Sequence, residues 1–194
     1  MSADGAAAGL EVVETAIHGV VLLVPRRFAD HRGSLSETYN RRRFEAAGLT
    51  HDWVQENHAM SAAAGTVRGL HYQLPPAAQA KLVRVVRGAI LDVALDVRRG
   101  SPTFGAHVAV ELRAGDGRQL LIPAGFAHGY CTLEPRTELL YRLDDYYAPE
   151  HERGIRWDDP ALDIPWPVSA DGAILSDKDR SLPSLAEQDE LMEL

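Results

Sequence analysis

The sequence predicts an all-β protein, a sandwich or barrel of short strands. Three observations carry this. Short alternating or apolar runs, rich in Val, Leu and Tyr, recur along the chain. Turn-forming residues stand between them, and only two segments have the pattern of a helix. Many short strands at regular spacing pack as a sandwich or a barrel, because each needs a neighbouring strand and a covered face.

The strand-like runs cover residues 19–24, 53–57, 66–73, 81–86, 90–97, 107–112, 119–122 and 138–143. Arg87-Gly88, Arg99-Gly100-Ser101-Pro102, Ala114-Gly115-Asp116-Gly117 and Pro123-Ala124-Gly125 punctuate them. Residues 41–47 form the first predicted helix. Residues 184–194 form the second, with Ser184 as N-cap and Glu187 three residues later. Residues 158–167 carry Pro160, Pro165 and Pro167, which exclude regular structure, so a packed loop closing one barrel end is expected. The Ala/Gly-rich residues 1–9 read as a loose tail, and the whole span 1–194 as one domain.

Composition narrows the function classes. A chain of 194 residues with 45% hydrophobic content supports one sizeable core. No apolar run approaches the roughly 20 residues of a membrane-spanning helix. The first residues lack the basic and apolar regions of a secretory signal. Cys131 has no internal partner, so a cytoplasmic location is expected. A net charge of −8 argues against nucleic acid or an acidic membrane as partner. An anionic small ligand then needs a local cluster of Arg and Lys.

Two segments resemble the paired motifs of the cupin superfamily. They are Gly65-x5-His71-x-Gln73, followed by Lys81 and Gly88, and Gly117-x5-Pro123-x-Gly125-x2-His128-x3-Thr132. Metal-binding cupins supply three histidines and a glutamate from these motifs, inside a β-jelly-roll barrel. Here Gln73 replaces a histidine and Lys81 stands near the glutamate position, leaving His71 and His128. A protonated lysine offers no lone pair and repels a divalent cation. The expectation is a cupin-type jelly-roll that keeps its pocket and uses no metal and no cofactor.

A closer resemblance runs over about residues 17–183. Phe28-x-Asp-x-Arg32-Gly33-x3-Glu37, Val54-Gln55-Glu56-Asn57, Arg68-Gly69-Leu70-His71-Tyr72-Gln73 and Lys81-Leu82-Val83-Arg84 are similar to the dTDP-4-dehydrorhamnose 3,5-epimerase family. So are Asp92-Val93-Ala94-x-Asp96-Val97-Arg98, Gly100-Ser101-Pro102-Thr103-Phe104-Gly105 and Ile122-Pro123-x-Gly125-Phe126-Ala127-His128-Gly129. Leu140-Tyr141, Tyr146-Tyr147-x-Pro149, Trp157-x-Asp159 and Leu175-Ser176-x-Lys178-Asp179 continue the match.

The resemblance implies inversion of C3 and C5 in a dTDP-linked 4-keto-6-deoxy sugar. Each inversion removes a proton beside the C4 carbonyl and returns one from the opposite face, which needs a base, an oxyanion stabiliser and an acid. By resemblance, His71 is the base, oriented by Asp179. Lys81 stabilises the enolate and Tyr141 is the acid. Phe28, Arg32, Glu37, Gln55, Asn57, Arg68, His128, Tyr147, Glu152 and Lys178 would surround the nucleotide sugar. Arg68 suits the diphosphate because a guanidinium fork fits phosphate oxygens. Tyr147 matches the thymine-stacking position. The resemblance further implies a homodimer in which Phe28, Arg32 and Glu37 reach the partner's site. The residues themselves leave other readings. Asp92 either supports His128 or is a plain strand residue, and Arg41–Arg43 read as solvated surface charge. Competing functions are a C3-only or C5-only epimerase, a non-catalytic nucleotide-sugar-binding cupin, and a metal cupin, the last disfavoured by Gln73 and Lys81.

Overall fold

The computed structural model describes residues 9–193. The first sheet has six strands in the order β1 (Leu10–Glu14), β2 (Val21–Pro25), β11 (Gln119–Ile122), β7 (Lys81–Arg87), β13 (Thr137–Leu143) and β5 (Gln55–Ser61). The second has five, in the order β10 (His107–Arg113), β8 (Ala89–Asp96), β12 (Phe126–Thr132), β6 (Val67–Gln73) and β14 (Glu152–Gly154). Every pairing within these two sheets is antiparallel. A hairpin, β3 (Arg27–Asp30) and β4 (Gly33–Ser36), stands outside both, and β9 (Arg98–Arg99) pairs with β15 (Met192–Glu193). This is the cupin-type jelly-roll that the motifs implied.

Strand alternation explains how the sheets meet. Val83 and Val85 of β7 and Leu139 of β13 point into the sandwich, where they join Ile90, Ala94 and Phe126 from the opposite sheet. Leu82, one residue out of phase with Val83, points outward and packs with Phe44. Phe44 belongs to α1 (Arg41–Ala46), whose N-cap Asn40 accepts from the amides of Arg42 and Arg43. Burying such a phenyl ring contributes on the order of 2 kcal/mol. The expected helix at 41–47 is therefore present, and it covers the first sheet.

The second sheet is covered on both faces. Its outer side chains Leu70, Val93, Leu95 and Ala127 pack under Ile155, Leu162 and Met192. The irregular segment 158–167 lies in this outer layer. Trp166 Nε1 donates to the Trp157 carbonyl at 2.6 Å and fixes it. Among the described residues, no helix is long and apolar enough to cross a membrane.

One expectation needs correction. Residues 184–194 were expected to be helical, yet only Leu185–Glu187 make a 3-10 turn and Met192–Glu193 form β15. The Glu187 carboxylate does accept from the Ser184 amide, at 3.0 Å. Beyond it, docking outweighs propensity. Gln188 Nε2 donates to the Gly154 carbonyl, the Tyr72 hydroxyl donates to the Glu190 carbonyl, and Met192 is buried. A short polar segment gains more from these contacts than from another helical turn. Residues 1–8 of the expected N-terminal tail, and Leu194, lie outside the described residues.

Candidate active site

A bulge builds one wall of the site. On β6 two residues separate Arg68 from His71, while on β12 only one separates their partners Tyr130 and His128. In a regular strand, residues three apart face opposite sides. The extra residue turns both Arg68 and His71 toward the interior. The bulge needs glycines. A Cβ on Gly69, whose φ is +111°, would stand 2.6 Å from the Gly129 Cα, and one on Gly129 would stand 2.8 Å from the Arg68 carbonyl oxygen.

His71, Arg68, His128, Lys81, Tyr141 and Asp179 all line one cavity of about 440 Å³. His71, Lys81 and Tyr141 also line a smaller adjoining cavity, about 120 Å³, with Gln55, Asn57, Tyr147 and Glu152. Ten of the residues singled out in the sequence thus come together, six in the first cavity and four more in the second. Lys178 joins through an ion pair with Glu152. Phe28, Arg32 and Glu37 line neither cavity. Phe28 and Arg32 belong to the β3–β4 hairpin and its turn, where Arg32 pairs with Asp30 at 2.7 Å; Glu37 pairs with Arg43 at 3.2 Å. Arg41 pairs with Glu45 at the surface.

The electrostatics follow from burial and pairing. His71 Nε2 lies 2.7 Å from Asp179 Oδ1, a close pair bent away from ideal hydrogen-bond direction. Burial raises the Asp179 carboxyl, but hydrogen bonds from His71 and Ser176 outweigh it and hold the group below its ordinary value. Lys81 Nζ donates to the His71 carbonyl at 3.1 Å. Burial pushes that ammonium down to about 8, against the opposing pull of Glu152 and Asp92. His128 Nε2 meets Asp92 Oδ1 at 2.7 Å, so Asp92 does support His128. Burial lowers His128 despite the carboxylate. The Tyr147 hydroxyl donates to Glu152 Oε2 at 2.6 Å, which raises the phenol to about 12.

Two lining residues escaped sequence reasoning. Tyr130 points inward from β12, and its buried hydroxyl has no hydrogen-bond partner among the described residues. The alternation of Phe126, His128 and Tyr130 was the available signal. Ser176 caps α2 (Asp177–Arg180) and donates to Asp179 Oδ2 at 2.7 Å. It stood within a quoted motif, but a serine before a short acidic run reads as a plain cap.

Gln73 does not face the site as a ligand: its amide donates to the carbonyls of Ala77 and Tyr146 and accepts from the Ala148 amide. It ties down the loops at the cavity rim. Fold and site together define a cupin-type enzyme whose pocket is equipped for proton transfer.

The sequence profile described as dTDP-4-dehydrorhamnose 3,5-epimerase matches residues 14–187. A protein of that name from Pseudomonas aeruginosa is 50% identical over 181 residues, covering 93% of this chain and 98% of the relative. A Legionella pneumophila dTDP-6-deoxy-D-glucose-3,5-epimerase, solved with dTDP-4-keto-L-rhamnose, superposes with a TM-score of 0.90 at 39% identity, covering 95% of this chain and 98% of that one. A 3'-monoepimerase from Streptomyces bikiniensis, solved with dTDP-quinovose, superposes at 0.83 and 36%, covering 90% and 87%. The chain belongs to the dTDP-4-dehydrorhamnose 3,5-epimerase family, and it is an isomerase.

Proposed function

We propose that this enzyme inverts C3 and C5 of dTDP-4-keto-6-deoxyglucose, giving dTDP-4-keto-L-rhamnose, with His71 as base, Lys81 as enolate stabiliser and Tyr141 as acid. What carries the reading is the placement of His71 and Tyr141 on different sheets around one cavity. Inversion needs deprotonation from one face and reprotonation from the other, so acid and base must come from opposing walls. Lys81 supplies positive charge where the C4 oxygen becomes an oxyanion, an interaction worth roughly 3 kcal/mol. With its ammonium at about 8, it remains mostly charged at neutral pH.

Arg68 binds the diphosphate in this reading, and Tyr147, Gln55, Asn57, Glu152 and Lys178 hold the rest of the nucleotide. Phe28, Arg32 and Glu37 serve the site of a second copy in a homodimer. The support is their distance from this chain's own cavities, together with the exposure of Phe28 (53%) and Leu35 (72%) on the hairpin. Light scattering at micromolar concentration should give a dimer; a monomer would remove these three residues from the site. The reading includes a cytoplasmic location and no nucleic-acid or membrane partner.

The deciding experiment is proton NMR of the keto sugar with enzyme in deuterated water. Deuterium at both C3 and C5 supports the proposal. Deuterium at C3 alone supports the second reading, a monoepimerase like the Streptomyces bikiniensis relative. Deuterium at neither carbon favours a non-catalytic binder.

A further inference from the structure

The His71–Asp179 pair has a third member. Asp179 is the third residue of α2, and Ser176 is that helix's N-cap. The two residues hold each other twice. The Asp179 amide donates to Ser176 Oγ at 3.1 Å, and Ser176 Oγ donates back to Asp179 Oδ2 at 2.7 Å. The other carboxylate oxygen, Oδ1, faces His71 Nε2. The backbone N–H of Gly69, at the β6 bulge, supplies a further donor to the same carboxylate. The carboxylate is therefore fixed in position from the helix and from the strand, and each of its oxygens has a separate task.

We infer that Ser176 is a positioning residue for proton abstraction, holding the Asp179 carboxylate in the orientation that meets His71 and keeping His71 available as a base. The inference rests on His71 being the base, as proposed above. A hydroxyl donor stabilises a carboxylate's charge and makes it a weaker base. Without that donor, Asp179 attracts a proton on His71 more strongly, and a protonated imidazole cannot accept the substrate's proton. The other charged groups facing His71 are Lys81 on β7 and His128 on β12, which oppose protonation, and Glu152 on β14, which favours it. None of them changes when Ser176 is replaced.

The test is the pH profile of kcat/KM, read with deuterium exchange, for three variants. Ser176→Ala should lower kcat about tenfold while KM stays within about twofold, and should move the acid limb about half a unit or more toward higher pH, as expected for loss of a hydrogen bond to a charged group. Ser176→Thr keeps a hydroxyl that both donates and accepts, and should restore the wild-type profile. Ser176→Asp still accepts from the Asp179 amide, so it preserves the helix cap, but it cannot donate. It should shift the limb at least as far as Ser176→Ala. An unmoved acid limb in Ser176→Ala, with only a lower melting temperature, would overturn the inference and leave Ser176 as a cap. A wild-type limb in Ser176→Asp would overturn it too. His71→Ala separates the two levels. If that variant exchanges normally, the base assignment itself falls. If it is inactive while Ser176→Ala keeps the wild-type limb, only the role of Ser176 falls.

Discussion

Two histidine–aspartate pairs sit on neighbouring strands with the same 2.7 Å separation, and they differ in exposure. In the first, the His71 side chain is 26% exposed and Asp179 5%. In the second, His128 is 7% exposed and Asp92 0%. The histidines are direct cross-strand partners, so distance and sequence context do not tell them apart. Burial does. It lowers His128 in spite of the adjacent carboxylate, so that imidazole is neutral at physiological pH. With Nε2–H given to Asp92, its Nδ1 remains an acceptor for a sugar hydroxyl. His71 is reachable by a substrate's proton. The pairs look alike, yet one is suited to moving protons and the other to holding a ligand.

Removing each pair's histidine should give unlike failures, and the largest belongs to His71. His71→Ala should lower turnover by about a thousandfold, in the range typical of a lost general base, with no deuterium entering C3 or C5. Normal exchange in that variant would erase the distinction between the pairs. Tyr141→Phe should lower formation of inverted product by about a hundredfold. Its base and Lys81 remain, so the enolate still forms and the base returns a deuteron to the face it left. Slow exchange with retained configuration is the expected NMR signature; inversion of both centres at the wild-type rate would remove Tyr141 as the acid.

A smaller effect is expected at the buried pair. His128→Phe should weaken binding of the nucleotide sugar by about tenfold, through loss of one buried hydrogen bond, while both carbons still exchange. Loss of exchange there would make His128 part of the chemistry. Solution pH offers a test that alters no residue. Because burial sets the Lys81 ammonium at about 8, kcat/KM should fall above that pH as the charge facing the enolate is lost. An activity plateau extending to pH 10 would mean that the enolate does not depend on that charge.

Both the fold and much of the site were legible because their signals are local. Alternating runs identified β7, β10, β11 and β13, each with one face in the core and one outside. β12 was missed as a strand: Phe126–Thr132 is buried on both faces and interrupted by Gly129, so it shows no alternation. The C-terminal segment misled because Ser184 and Glu187 carry a genuine helix-start signal, while the contacts that end the helix come from Tyr72, Gly154 and β9. Ser176 illustrates the same limit in the site. Its role depends on the Asp179 rotamer and on a bulge more than 100 residues earlier in the chain.

The smallest expected effect is that of metal removal, and the two pairs explain why. A cupin metal would require imidazole lone pairs from His71 and His128. Each histidine instead directs Nε2 to its own aspartate. Gln73 spends its amide on backbone groups of the rim. The Lys81 ammonium, at about 8, holds a positive charge in the same cavity at neutral pH. A divalent ion would have to break two close pairs and overcome that charge with two neutral donors. Among the described residues, no group of three or more His, Cys, Asp or Glu is arranged to compensate. Chelator treatment should therefore leave the rate unchanged, and metal analysis of the purified protein should find no stoichiometric zinc, iron, nickel or manganese. If a chelator abolishes activity and one metal restores it, then the histidines must leave their aspartates in the working enzyme, and the contrast between the two pairs would belong to the metal-free state alone.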